Sequence, residues 1–221
     1  MGSHPLFIAM LCCYGLSCAI HLVFCFLMAE RMRRVSKPFC LLFLILSCLF
    51  SPSSPALLAF GLLLGLIGDV LMLFKRRKLC LAGAMACFAG NHLAYICVIL
   101  SLSFGQALPD MRLAGFAVLS SVIILFATFS LSLANSLKYP AFSIYAAFLA
   151  VEIACCVVFC LYRPLSIAPY LCLLGAVLFA FSDSLILFTL AKGKFKRADF
   201  FIMLTYLLAQ GLLAVSLCLL L

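Results

Sequence analysis

Eight predominantly apolar runs divide this chain, at residues 6–28, 38–50, 57–74, 79–100, 113–133, 139–162, 168–190 and 199–221. Most are about as long as the ~20 residues a helix needs to cross a hydrocarbon core. Lipid offers backbone N–H and C=O groups no partner, so only helices or closed barrels span it, and barrel strands would alternate apolar and polar residues. No such alternation occurs here. The expected fold is therefore all-α: a polytopic membrane protein with eight transmembrane helices in a single transmembrane domain covering residues 1–221. With 68% hydrophobic and 10% charged residues, a soluble globular domain is excluded. The first run lacks a positive leader and a cleavage site, so it reads as a retained helix rather than a signal peptide. The run at 38–50 is the short one. It starts at Lys37-Pro38, with proline tolerated in a first turn, and is expected to tilt little or to thin the bilayer locally.

The net charge of +9 invites a nucleic-acid partner until the charges are placed. Arg31, Arg33, Arg34 and Lys37 follow the first run, Lys75, Arg76, Arg77 and Lys78 the third, and Lys192, Lys194, Lys196 and Arg197 the seventh, while Lys138 precedes the sixth. Only Arg112 and Arg163 occupy connections of the opposite parity. By the positive-inside rule the first set faces the cytoplasm and both termini are non-cytoplasmic. The basic excess is thus a topology and headgroup signal, and the expected partners are membrane lipids, with no nucleic acid. A bacterial inner membrane and an endoplasmic reticulum membrane both fit. The 14 cysteines lie in or beside the apolar runs and form no CxxC metal pattern, so they read as small packing residues.

Against this apolar background two acids stand out. Gly68-Asp69-Val70-Leu71-Met72-Leu73-Phe74 in the third run returns as Ser182-Asp183-Ser184-Leu185-Ile186-Leu187-Phe188 in the seventh, each just before a basic loop. The repeat reads the chain as two parallel four-helix halves. His92 and Tyr206 follow Asp69 and Asp183 at the same offset, so the next helix in each half presents a polar partner. Gly61, Gly65 and Gly68 form a strip on the third helix where another helix can approach closely.

Counted at helical rise from the nearest cytoplasmic basic residue, Asp69 lies about 9 Å deep, Asp183 and Tyr206 about 13 Å and His21 about 15 Å; Asn91, His92, Glu152 and Gln210 lie near ~20 Å. Charged groups at such depth usually face a bundle interior and mark a site or a structural contact. Two carboxyl groups close together in low dielectric cannot both stay ionised, which leaves one acid and one base. That division suits hydrolysis and also proton-coupled transport; the bland alternative is that both acids hydrogen-bond neighbouring helices. Asn91, His92 and Tyr95 are placed to orient a water or a substrate oxygen, or to satisfy one another. Glu152 has no counterpart in the first half, and packing support and a site-edge role both fit it. Lys37 reads as a residue that snorkels to the interface or reaches a substrate phosphate. The spacing of His21, His92 and the two acids matches no helical zinc motif, so no metal and no cofactor are expected.

Lys37-Pro38, Gly68-Asp69-Val70-Leu71-Met72, Gly90-Asn91-His92-Leu93-Ala94-Tyr95, Phe181-Ser182-Asp183-Ser184, and Tyr206 with Gln210, in this order and spacing, resemble the YhhN family, whose characterised members are lysoplasmalogenases. The resemblance covers nearly the whole chain. It implies a membrane hydrolase that cleaves the vinyl ether bond of lysoplasmalogens, releasing a fatty aldehyde and glycerophosphoethanolamine or glycerophosphocholine. Asp69 and Asp183 would be the catalytic pair, with Asn91, His92, Tyr95, Tyr206 and Gln210 orienting water and substrate and Lys37 near the headgroup. The other reading is a small proton-coupled transporter or lipid carrier using the same two acids.

Overall fold

The computed structural model describes residues 5–51, 54–74, 77–103 and 140–219, and these form helices and turns, with no strand among them. In chain order the helices are α1 (Pro5–Phe26), α2 (Glu30–Phe50), α3 (Ala56–Met72), α4 (Lys78–Ser103), α5 (Pro140–Tyr162), α6 (Ile167–Lys192) and α7 (Ala198–Cys218). Among the described residues, five segments are long and apolar enough to cross a membrane: α1, α4, the stretch Tyr145–Tyr162 of α5, Ile167–Leu190 of α6, and α7. Helix α3 is as apolar but shorter. The expected run at 113–133, together with Arg112 and Lys138, lies outside the described residues.

Six of the described helices start and stop close to the apolar runs; α2 corrects the expectation. It begins at Glu30, not at Pro38, and spans 21 residues. Apolarity starts at Pro38, but helix formation does not depend on apolarity. Glu30 complements the positive helix start, Arg34 sits one turn on with its guanidinium 3.5 Å from the Glu30 carboxylate, and Glu, Arg and Met are all good helix formers. Pro38 thus stands inside the helix rather than in its first turn. The basic residues are carried on helical turns, which fixes where Lys37 can point.

Helix α1 ends in a tight reversal. Ala29 N–H reaches back to the Phe24 carbonyl (3.0 Å) and Met28 N–H to that of Cys25 (3.2 Å), with Met28 at φ 56° in the left-handed region between them. This is the hydrogen-bond pattern of a Schellman stop with methionine where glycine is usual. The reversal lays α2 directly against α1.

Successive helices pack side by side from α1 to α4 and from α4 through α5 and α6 to α7, which returns to touch α1, α2 and α4 as well. Helix α7 is therefore the interior element, and it buries Met203, Tyr206, Leu207, Gln210, Leu213 and Leu217 along its length. Large apolar residues of the outer helices, such as Leu16 and Val23 on α1 or Leu174 and Val177 on α6, are exposed, as a lipid-facing surface requires. Two close helix contacts use glycine at equivalent places in the repeat. A Cβ on Gly61 would stand 2.6 Å from the Ala94 Cβ, and one on Gly175 2.9 Å from Leu213 Cγ. Each glycine lets the acid-bearing helix lie hard against the helix that follows it.

Candidate functional site

The polar residues collect into two hydrogen-bonded chains, one around each acid. Asp69 is in the last turn of α3, on its buried face. Lys37, from the helical start of α2, places its Nζ 2.9 Å from Asp69 Oδ1. The Tyr206 hydroxyl of α7 donates to Oδ2 at 3.0 Å. One turn further along α7, Gln210 Nε2 donates to the Tyr206 oxygen at 3.4 Å, and its Oε1 accepts from the Tyr95 hydroxyl of α4 at 2.5 Å. With the lysine and aspartate side chains only 16% and 2% exposed, neither charge is well hydrated, so each depends on the other for stabilisation. The lysine ammonium also stands 5.9 Å from the Tyr206 ring centre.

The second chain starts at Asp183 on α6, whose Oδ2 accepts a short hydrogen bond from the Tyr145 hydroxyl of α5. His92 Nε2 lies 3.0 Å from that same hydroxyl, and His92 Nδ1 contacts Glu152 Oε2. Tyr145 and Glu152 are two turns apart on α5 and thus share a face, which lets both ends of one imidazole be held by a single helix. His92 and Glu152 are fully buried, whereas Asp183 and Tyr145 are half-buried. The chain runs from a sealed interior to a less deeply buried acid.

Phe179, one turn before Asp183 on α6, joins the two chains. Its ring centre lies 4.4 Å from that of His92 and 5.4 Å from that of Tyr206, edge-on to both, a favourable arrangement for aromatic pairs. Asn91 is buried with neither amide atom bonded. It stands over the glycine face of α3, where a Cβ on Gly65 would come within 3.3 Å of Asn91 Nδ2 and 3.4 Å of Gln210 Nε2. Glu152 Oε1 likewise has no partner among the described residues. A buried donor and acceptors of this kind are available to a water or a polar ligand group.

Of the polar residues singled out within the apolar runs, all but His21 fall within or beside these chains, but the connections differ from the expected ones. The matching offsets pointed to His92 as the partner of Asp69's half and Tyr206 as that of Asp183's. The structure crosses them: Tyr206 serves Asp69, and His92 reaches Asp183 through Tyr145. The reason is that α7 packs against α2 and α4 as well as α6, so the Tyr206 hydroxyl reaches Asp69 on α3 while its ring stays against Phe179 of α6. The Lys37 ammonium is bound to Asp69. Glu152 is the buried end of the second chain rather than packing support. His21 stays apart, 2.7 Å from Ser36 Oγ and 3.4 Å from Cys25 Sγ.

Tyr145 and Phe179 were not found from the sequence. Tyr145 is one tyrosine among several in apolar runs, and only its two-turn spacing from Glu152 hinted at a shared polar stripe. Phe179 is one of 22 phenylalanines, and nothing local distinguishes it. Among the described residues, no cluster of three or more His, Cys, Asp or Glu is arranged to hold a metal ion.

Chemically, the site offers two carboxyl groups in different surroundings: one bound to an ammonium group, the other to a phenol–imidazole–carboxylate chain. No curated protein and no solved structure matches the sequence. A family model does, over residues 7–217, which include every member of both chains, so this protein belongs to the YhhN family.

Proposed function

We propose that this protein is an intramembrane hydrolase that cleaves the vinyl ether bond of lysoplasmalogens to a fatty aldehyde and glycerophosphoethanolamine or glycerophosphocholine. The observation that carries this reading is the pair Asp69 and Asp183, on separate helices, each receiving a tyrosine hydroxyl and linked through the Phe179 ring. Family membership supports it. Vinyl ether hydrolysis needs a proton delivered to the outer alkene carbon, a negative group near the resulting oxocarbenium ion, and a water activated to trap it. Two carboxyl groups in unlike environments divide that work as they do in glycosidases.

In this reading the chain crosses the membrane eight times, with residues 113–133 as the fifth span. The basic connections are cytoplasmic and both ends lie on the far side. The lysolipid places its hydrocarbon chain among the apolar helices and its phosphate near the basic rim, where Arg31 and Arg34 are exposed. Asn91, with its free amide, and Gln210 flank the place where water or the glycerol oxygen is held, and Tyr95 fixes Gln210.

Purified protein in detergent is expected to release aldehyde from lysoplasmenyl-ethanolamine or lysoplasmenyl-choline. Asp69→Asn and Asp183→Asn should each lower turnover by at least about 100-fold, the scale of a lost general acid or base. Full turnover in either folded variant would remove that residue from the chemistry. A well-folded wild type that releases no aldehyde from either lipid would overturn the substrate assignment.

A further inference from the structure

The two acids are not equivalent, and their partners say which does what. Tyr145 has a single hydroxyl hydrogen, and it is directed at Asp183 Oδ2. Its oxygen can then meet His92 Nε2, 3.0 Å away, only by accepting, so Nε2 carries a hydrogen. His92 Nδ1 and Glu152 Oε2 are left to share one proton between them. The His92 Nε2 hydrogen and the Tyr145 hydroxyl hydrogen therefore both point outward, away from sealed Glu152 and towards half-buried Asp183.

Asp69 is set up differently. A cation contacts it directly, whereas among the described residues no lysine or arginine pairs with Asp183. The titratable groups facing Asp183 are Asp69 from α3, His92 from α4, and Tyr145 and Glu152 from α5, with Tyr206 of α7 behind the Phe179 ring.

We propose that Asp183 delivers the proton to the substrate, that Tyr145, His92 and Glu152 are the positioning relay behind it, and that Asp69, bound to Lys37, is the carboxylate that activates water. This rests on the vinyl ether hydrolase reading. In the first step the alkene π electrons form a C–H bond with the Asp183 hydrogen, leaving Asp183 a carboxylate and the substrate an oxocarbenium ion. Water then adds its oxygen to the cationic carbon as Asp69 takes one of its protons, giving a neutral hemiacetal. In collapse, Asp69 returns that proton to the departing glycerol oxygen as the C–O bond breaks, and the hemiacetal hydroxyl gives its proton to Asp183. The products are aldehyde and glycerol alcohol, and both acids are reset. Through the cycle the Tyr145 hydroxyl goes on donating its hydrogen bond to Asp183 Oδ2, keeping the other oxygen turned to substrate.

The test compares wild type with Tyr145→Phe, Glu152→Gln and Lys37→Met, all checked for folding by thermal unfolding. With lysoplasmenyl lipid as substrate, Tyr145→Phe and Glu152→Gln are expected to lower kcat by about 10- to 100-fold with KM little changed, less than loss of the acid itself. They should also displace the alkaline limb of the pH–rate profile, set by the group that must be protonated, and leave the acid limb in place. Lys37→Met should displace the acid limb instead. Wild-type limbs in the Tyr145 and Glu152 variants, or movement of the acid limb alone, would overturn the assignment. Nitrogen NMR of His92 gives a readout independent of turnover: Nε2 should carry hydrogen in wild type and lose that preference in Tyr145→Phe. A bare Nε2 in wild type would overturn the relay even in an active hydrolase. If neither lipid yields aldehyde, the substrate is wrong, and the relay stands or falls on the His92 spectrum.

Discussion

Lys37 and Asp69 show how much one contact decides. A lysine beside the lipid interface would ordinarily extend to water, yet here its ammonium sits 2.9 Å from a carboxylate that is almost fully buried. Removing one member of such a pair leaves the other charge without compensation, so Lys37→Met is expected to cost about 3–5 kcal/mol of stability. Replacing both, as in Lys37→Met with Asp69→Leu, should recover most of that loss while leaving no turnover. Thermal unfolding in detergent beside aldehyde release measures both, and a double variant as unstable as the single one would show that the pair is not what Lys37 contributes. The acids themselves were legible in the sequence because a carboxyl group in an apolar run is costly wherever it points. Tyr145 was not, since a tyrosine in such a run is unremarkable until its hydroxyl is known to meet His92 and Asp183.

At the scale of elements, glycine and left-handed backbone set how closely the helices approach. Gly61→Ala would drive a methyl group to 2.6 Å from the Ala94 Cβ, and overpacking of this kind costs about 1–3 kcal/mol. Ala94→Gly in the same chain should restore stability, which a thermal-shift comparison of the single and double variants would detect. Met28 at φ 56° is the opposite case. Glycine there should raise stability by about 1 kcal/mol, the order of the left-handed penalty for a residue with a Cβ, and an unchanged or lower melting temperature would contradict it. Helix positions were readable from hydropathy except in α2, where the first turns are charged. Hydropathy reports where lipid is tolerated, and helix start signals such as Glu30 followed by Arg34 lie outside that measure.

For the whole molecule, the distribution of charge predicts orientation. A reporter active only outside the cytoplasm, inserted at Arg163, should be active, and the same reporter at Gly193 silent; the reverse pattern would invert the topology. A further contact sits at the basic rim, where Asp199 at the start of α7 meets Arg33 of α2 at 2.6 Å and Lys194 at 2.8 Å. It fastens the interior helix to the α1–α2 reversal. By itself the sequence determined that the chain is helical and bound for a membrane, and that two acids repeat within it, because burial of backbone and charge in lipid admits few alternatives. Only the tertiary structure decided that α7 lies inside, that Tyr206 therefore crosses to Asp69, and that Tyr145 carries His92 and Glu152 to Asp183. Those pairings depend on which helix faces meet, and chain offsets carry no record of that.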